Sequence, residues 1–267
     1  MISRPLTTWA KRLRRGATTW IGEGVDLFFP PRCVLCRQDL APPADGSGGE
    51  PTAPGDLCIA CARDLSADGG RCMVCGEPGA DGSCRRCRGQ RPDWDGIVIL
   101  AAYGDQLREA VLRCKRPNGD DVSRALAALL VGRHRETFAG WRIDGVVPVP
   151  MHWLRRMSRG TSAADEIARR VAGLLGVPFL RALSRQTATT MQNALPVSER
   201  RGNVATAFRL RQPVTARRLL VIDDVVTTGS TLAACSCTLA AGGADAVYAA
   251  AIARADRMGD DASYHGA

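Results

Sequence analysis

Aromatic residues make up only 5% of the 267 residues, so the core must be built from Ala, Val, Leu and Ile. The same scarcity weighs against a surface that stacks bases on aromatic rings; Trp94, Trp141 and Trp153 are the few candidates, and packing is the plainer role for each. No window holds the roughly 18 uninterrupted apolar residues that a membrane-spanning helix needs. Lysine is nearly missing: Lys11 and Lys115 are the only two among 36 basic residues. Histidine occurs only at His134, His152 and His265. The amino-terminal stretch lacks the continuous apolar core of a secretory signal. Arg4, Lys11, Arg12, Arg14 and Arg15 precede a mixed segment, Ala17 to Phe29, broken by Glu23 and Asp26. Residues 1–31 read as a basic amphipathic helix, and a cytoplasmic location is the default expectation.

What is present is ordinary globular material, 45% hydrophobic and 24% charged. The net charge of +9 is carried almost entirely by arginine. An arginine-rich genome composition would produce that balance. An anionic partner, either phosphorylated small molecules or nucleic acid, would use it, because the planar guanidinium fork binds phosphate oxygens in pairs.

Eight of the 11 cysteines form four C-x-x-C pairs: Cys33/Cys36, Cys58/Cys61, Cys72/Cys75 and Cys84/Cys87. Each pair sets two thiolates on one side of a tight knuckle, and two knuckles complete a tetrahedral zinc site. Two structural zinc ions are therefore expected, with no ligand position left open for catalysis. A disulfide framework fits poorly without an export signal, and a redox dithiol would call for one pair on a βαβ unit. Sequential pairing of the knuckles is preferred over a cross-brace. The Pro- and Gly-rich stretch from Pro42 to Pro54 accommodates either. Gly76, after Cys75, falls where a knuckle needs a left-handed residue. Cys114, Cys235 and Cys237 read as buried, inert small hydrophobes.

From Trp94 onward strands and helices alternate. Strands are expected at Gly96–Ala102, Asp144–Pro150, Arg218–Ile222 and Ala246–Ala253. Helical periodicity marks Leu107–Cys114, Val122–Phe138, Ser162–Leu175 and Thr231–Ala241. That alternation implies an α/β fold with a parallel sheet covered on both faces, and ligands then bind at the carboxyl ends of its strands. The chemistry lies in Leu219-Leu220-Val221-Ile222-Asp223-Asp224-Val225-Val226-Thr227-Thr228-Gly229-Ser230-Thr231. A buried strand delivers two carboxylates, a hydroxyl-rich turn follows, and a helix begins. Backbone N–H groups and hydroxyls at such a turn cradle a phosphate. The carboxylates suit neighbouring ribose hydroxyls, or Mg²⁺ bound to them.

This run resembles the phosphoribosyl-pyrophosphate (PRPP) motif of type I phosphoribosyltransferases. The resemblance implies ribose contacts for Asp223 and Asp224, and a 5-phosphate held by Thr227, Thr228, Gly229, Ser230 and Thr231. With the four knuckles, the chain resembles the ComF (competence protein F, GntX-like) family along nearly its whole length. Phe28-Phe29-Pro30-Pro31-Arg32-Cys33 is similar to the family's entry to its zinc region. So are Tyr103, Leu107-Arg108 and Cys114-Lys115 to its Y…L…LK segment, and Val147-Pro148-Val149-Pro150 to its VPVP strand. Thr189-Thr190-Met191-Gln192, Glu199-Arg200-Arg201-Gly202-Asn203-Val204, Ala207-Phe208 and Ile252-Ala253-Arg254 match further segments. Where the family continues R-G-F-N-Q, this chain reads Arg159-Gly160-Thr161-Ser162-Ala163.

The resemblance implies a type I phosphoribosyltransferase-like domain over 93–256, a double zinc ribbon over 32–92 and a flexible tail over 257–267. It implies PRPP or another phosphorylated ribose ligand, with Mg²⁺ as cofactor. Arg155, Arg156 and Arg159 would stabilise departing pyrophosphate; Lys115 reads as a surface lysine, with reach to phosphate as the alternative. A phosphoribosyl transfer activity is one implication. A non-catalytic PRPP-sensing or single-stranded-DNA-binding module, tied to DNA uptake machinery, is the alternative.

Overall fold

The computed structural model describes residues 32–40, 56–65, 70–79, 84, 87, 91–151, 162–185, 207–215 and 217–255. The expected helix over 1–31, the Pro42–Pro54 loop and the tail over 257–267 lie outside the described residues.

Four strands form one parallel sheet: β1 (Gly96–Ala102), β2 (Gly145–Pro148), β5 (Arg218–Val226) and β6 (Ala246–Arg254), in the order β1-β6-β5-β2. β5 and β6 are central, which is why both read as nearly unbroken apolar runs. Side chains alternate between faces: Leu220 and Ile222 enter one apolar cluster, and Leu219 and Val221 the other. The first face is covered by α2 (Asp105–Cys114), α3 (Asp120–Arg133), α4 (Arg135–Trp141) and α5 (Ala163–Leu175). The second is covered by α6 (Ser230–Ala241) and a short antiparallel pair, β3 (Leu183–Arg185) with β4 (Phe208–Leu210).

Helix ends follow local chemistry. Ser162 caps α5 by accepting from the Asp165 N–H at 3.4 Å, and Gly176, at φ 69°, closes it. The helical run expected from Val122 to Phe138 divides at His134 instead. There the backbone leaves helical geometry and the ring Nε2 meets the Ile99 carbonyl at 3.2 Å, tying the break to β1. β5 runs four residues beyond Ile222, because Val225 and Val226 keep pairing with Ala253 and Arg254 of β6. Asp223 and Asp224 therefore lie within the strand's carboxyl end rather than in a loop.

The remaining described element, α1 (Ile59–Asp64), belongs to the cysteine-rich region. Cys33, Leu57, Cys61, Ala62 and Leu65 share an apolar cluster with α2 and α3, so this region packs into the α/β unit. Among the described residues, no helix is long and apolar enough to cross a membrane.

Candidate functional site

β5 leaves α6 on one face of the sheet, while α5, which follows β2, covers the other. Neighbouring strands whose following helices diverge open a crevice at their carboxyl edge. Asp223, Asp224 and the Thr227–Thr231 turn all stand at this edge. The two aspartates lock their own backbone: Asp223 Oδ1 accepts from the Asp224 N–H at 2.9 Å, and Asp224 Oδ1 from the Val225 N–H at 2.8 Å. Burial pushes the Asp223 carboxyl up to about 8, and the adjacent Asp224 charge adds to the effect. Asp224 is held differently, because Lys115 Nζ stands 2.9 Å from its Oδ2. Lys115 is thus a member of the acid cluster and not a free surface lysine. One signal for it was in the sequence: it is the only lysine beyond the amino-terminal segment of an arginine-rich chain.

The turn that follows is lined by hydroxyls. Thr227, Thr228 and Ser230 are exposed and Thr231 is half-buried. Thr228 Oγ1 lies 3.0 Å from Ser230 Oγ and accepts from the Ser230 N–H at 3.3 Å. Gly229, at φ 81°, is the residue before α6, and its carbonyl accepts the helix bond from Ala233 N–H at 2.9 Å. Asp223 and residues 225–232 line a small depression of about 30 Å³ here. A larger cavity of about 170 Å³ lies at the end of β2, with Met151, Ser162, Arg181, Arg185 and Arg211 on its walls. Asp165 accepts from Arg181 there at 2.9 Å. Arg155, Arg156 and Arg159 lie outside the described residues, as do Thr189–Gln192 and Glu199–Val204.

The cysteines assemble in sequential pairs of knuckles. Cys33, Cys36, Cys58 and Cys61 form one group and Cys72, Cys75, Cys84 and Cys87 the other, each with all four sulfurs within 4.8 Å. Measured Sγ–Sγ separations are 3.7 Å for Cys36–Cys58, 3.6 Å for Cys72–Cys87 and 3.5 Å for Cys75–Cys84. A tetrahedron of sulfurs at about 2.3 Å from zinc has edges of about 3.8 Å, so both groups fit the ion. Burial, then the neighbouring sulfurs, pushes the Cys61 and Cys87 thiols up; thiolates this close need a shared cation. Gly76 has the expected left-handed backbone, at φ 76°. Cys114 and Cys235 are buried as expected, whereas Cys237 is exposed on α6, because its helical position faces away from the sheet.

Both groups are tied to the α/β unit by contacts that the spacing pattern did not reveal. Arg113 on α2 donates to the carbonyls of Val34 and Leu35, inside the first knuckle. Trp94 Nε1–H donates to the Val74 carbonyl, inside the third, at 2.8 Å. Glu77 pairs at 2.6 Å with Arg254, which is only 2% exposed at the carboxyl end of β6.

Residues 24–88 match the double zinc ribbon domain family. The DNA utilization protein YhgH of Escherichia coli K12 is 32% identical over 227 residues, covering 83% of this chain and 96% of the relative. Competence protein F of Haemophilus influenzae is 29% identical over 240 residues, covering 85% and 99%. Among solved structures, a purine phosphoribosyltransferase from Pyrococcus horikoshii aligns at TM-score 0.31 and 17% identity, covering 60% of this chain and 89% of that one. The phosphoribosylpyrophosphate synthetase of Mycobacterium smegmatis aligns at TM-score 0.32 and 22% identity, covering 48% and 33%. Structural likeness at that level adds nothing to the relationship in sequence.

Proposed function

The chain belongs to the family of competence protein F and YhgH, and from that membership we propose that it binds PRPP or a related ribose 5-phosphate ligand at the carboxyl edge of β5. One observation carries the reading: a carboxylate pair, an ammonium group and a hydroxyl-lined turn before a helix converge at one strand end. The 5-phosphate sits in the Thr227–Thr231 turn, on backbone N–H groups and on the hydroxyls of Thr228 and Ser230. The ribose 2- and 3-hydroxyls donate to Asp223 and Asp224. Lys115 then has two anionic neighbours to choose from, Asp224 and the ligand's pyrophosphate, and spans them.

The type I phosphoribosyltransferase architecture expected from the sequence belongs to the same proposal, with the ribbon over 32–92 and the transferase-like unit over 93–256. In transfer, the C1–oxygen bond to pyrophosphate breaks and its electron pair leaves with pyrophosphate. An acceptor lone pair forms the new bond to C1. The guanidiniums of Arg155, Arg156 and Arg159, with Arg185 and Arg211 in the cavity at the end of β2, meet the charge that builds on the leaving group. Asp223 and Asp224 would hold Mg²⁺ bound with PRPP, and the ion would supply charge neutralisation for the pyrophosphate. Thr161, Ser162 and Ala163 replace the family's aromatic and amides, so acceptor selection is weak here and ligand binding is retained. The names of the relatives, DNA utilization and competence, tie this ligand chemistry to the handling of DNA.

A thermal-shift panel tests the reading: PRPP with Mg²⁺, ribose 5-phosphate, nucleotides and single-stranded DNA. PRPP with Mg²⁺ is expected to raise the melting temperature of the parent, and Asp223→Asn/Asp224→Asn to abolish the shift. A shift with DNA alone would favour the non-catalytic DNA-binding alternative.

A further inference from the structure

We propose that Trp94 is a positioning residue of the Thr227–Thr231 turn, and that metal in the Cys72, Cys75, Cys84, Cys87 group sets its place, so that ligand affinity at the turn depends on that metal. The proposal rests on the phosphate reading of the turn.

Trp94 is half-buried between two structures, and each end of its indole is engaged. Its Nε1–H donates to the carbonyl of Val74 at 2.8 Å, and Val74 stands between two sulfur ligands, Cys72 and Cys75. At the other end, Cη2 lies 3.0 Å from the place a Cβ on Gly229 would occupy. Gly229 is the pivot of the turn, at φ 81° immediately before α6. A rigid two-ring side chain thus reaches from a metal knuckle to the residue that aims the turn's N–H groups. Both of these contacts are with the backbone of other residues, Val74 and Gly229, and not with the acid pair or the turn's hydroxyls, so through them it acts on a ligand indirectly.

Two further contacts fix the same knuckle to the same edge. Glu77, two residues after Cys75, holds Arg254 at 2.6 Å, and Arg254 pairs in register with Val226, the last residue before the turn. Arg254 Nε and Nη1 are buried and make no hydrogen bond among the described residues, so Glu77 is the group that compensates the guanidinium. The Met73 carbonyl accepts from Ile97 N–H at 2.8 Å, binding the knuckle to β1. A knuckle of this kind closes around its ion. Without the ion, the Val74 carbonyl and the Glu77 carboxylate lose their fixed positions, and Trp94 loses the support that presses it on Gly229. The first sulfur group is joined to α2 instead, through Arg113.

The test uses the full-length, metal-loaded protein and four variants: Trp94→Ala, Cys84→Ser, their combination, and Cys36→Ser. Two quantities are read, hydrogen exchange at residues 227–231 and affinity for PRPP with Mg²⁺. Trp94→Ala and Cys84→Ser are each expected to speed exchange at 227–231, leave β6 unchanged, and weaken PRPP binding roughly tenfold. The double variant is expected to be no weaker than Cys84→Ser alone, because the metal acts through Trp94; a general loss of stability would add instead. Cys36→Ser, in the first group, is expected instead to speed exchange in β6 as well, the pattern of a general loss of stability through the shared core. Trp94→Ala keeps every sulfur ligand, so it decides the positioning role by itself. Unchanged exchange and affinity in Trp94→Ala, or additive losses in the double variant, would overturn the proposal. Faster exchange in Trp94→Ala with no PRPP binding by the parent would support the positioning role and overturn the ligand assignment.

Discussion

Asp223 and Asp224 are adjacent in the chain but differ in their means of carrying charge. Asp224 has Lys115 at 2.9 Å, while Asp223, half-buried beside a carboxylate, has its carboxyl raised by desolvation from 3.8 to about 8. The folded chain therefore holds a proton on Asp223 across a window, about pH 4 to 8, in which the unfolded chain has released it. Stability from this group is present below pH 4 and is lost as pH rises through 8. In magnesium-free buffer, Asp223→Asn should remove that dependence. The variant is expected to melt above the parent at pH 8, by about 1 kcal/mol or more of added stability, and the gap should shrink toward pH 4. A parent whose melting temperature rises from pH 5 to pH 8 relative to the variant would show that Asp223 is ionised in the folded chain. The acid pair was legible because carboxylates at a strand end stand out against an apolar run. The rarity of lysine set Lys115 apart, but its pairing with Asp224 was not legible, because the partner is more than a hundred residues away and no local pattern links them.

The strand-to-helix units were legible for a related reason: β5 and β6 are apolar runs, α5 is amphipathic, α6 is a small apolar helix, and each has its own end signals. β3 and β4 were not. They are three residues each, flanked by long connections, and gain their register only from each other. The connection between α2 and α3 shows how a short element carries a distant function. Asn118, at φ 65°, and Gly119 turn the chain so tightly that a Cβ on Gly119 would overlap the Arg113 carbonyl and the Cys114 backbone. Arg113 supports the first metal knuckle and Lys115 meets Asp224, so this turn sets both contacts. Gly119→Ala is expected to cost about 1–3 kcal/mol of stability, since rigid backbone must move. It should also weaken PRPP binding, because Lys115 is displaced. Chemical denaturation and a PRPP titration check the two effects; a loss of stability with unchanged affinity would show that Lys115 is held by something other than the turn.

At the scale of the whole molecule, a zinc ribbon over 32–92 followed by an α/β domain over 93–256 would suggest two self-sufficient units, so that loss of one ion leaves the second unit untouched. Packing argues otherwise. Leu57 and Leu65 flank the Cys58/Cys61 knuckle, each 1% exposed, and lie in the same apolar cluster as Leu126 and Leu130 of α3. An ion bound by the first group would therefore hold in place a lid over the sheet's helical face. Burying a leucine contributes about 1.5–3 kcal/mol, so displacing two of them is a large fraction of the stability of an ordinary domain. Metal analysis is expected to find two zinc ions per chain and Cys33→Ser to retain one. The same variant should lower the melting temperature of the α/β unit, followed by exchange protection in β5 and β6, and should expose apolar surface to a fluorescent dye. Full protection of β5 and β6 after loss of the first ion would mean that the helices close over the sheet without the ribbon. The shared cluster would then contribute to docking and not to folding.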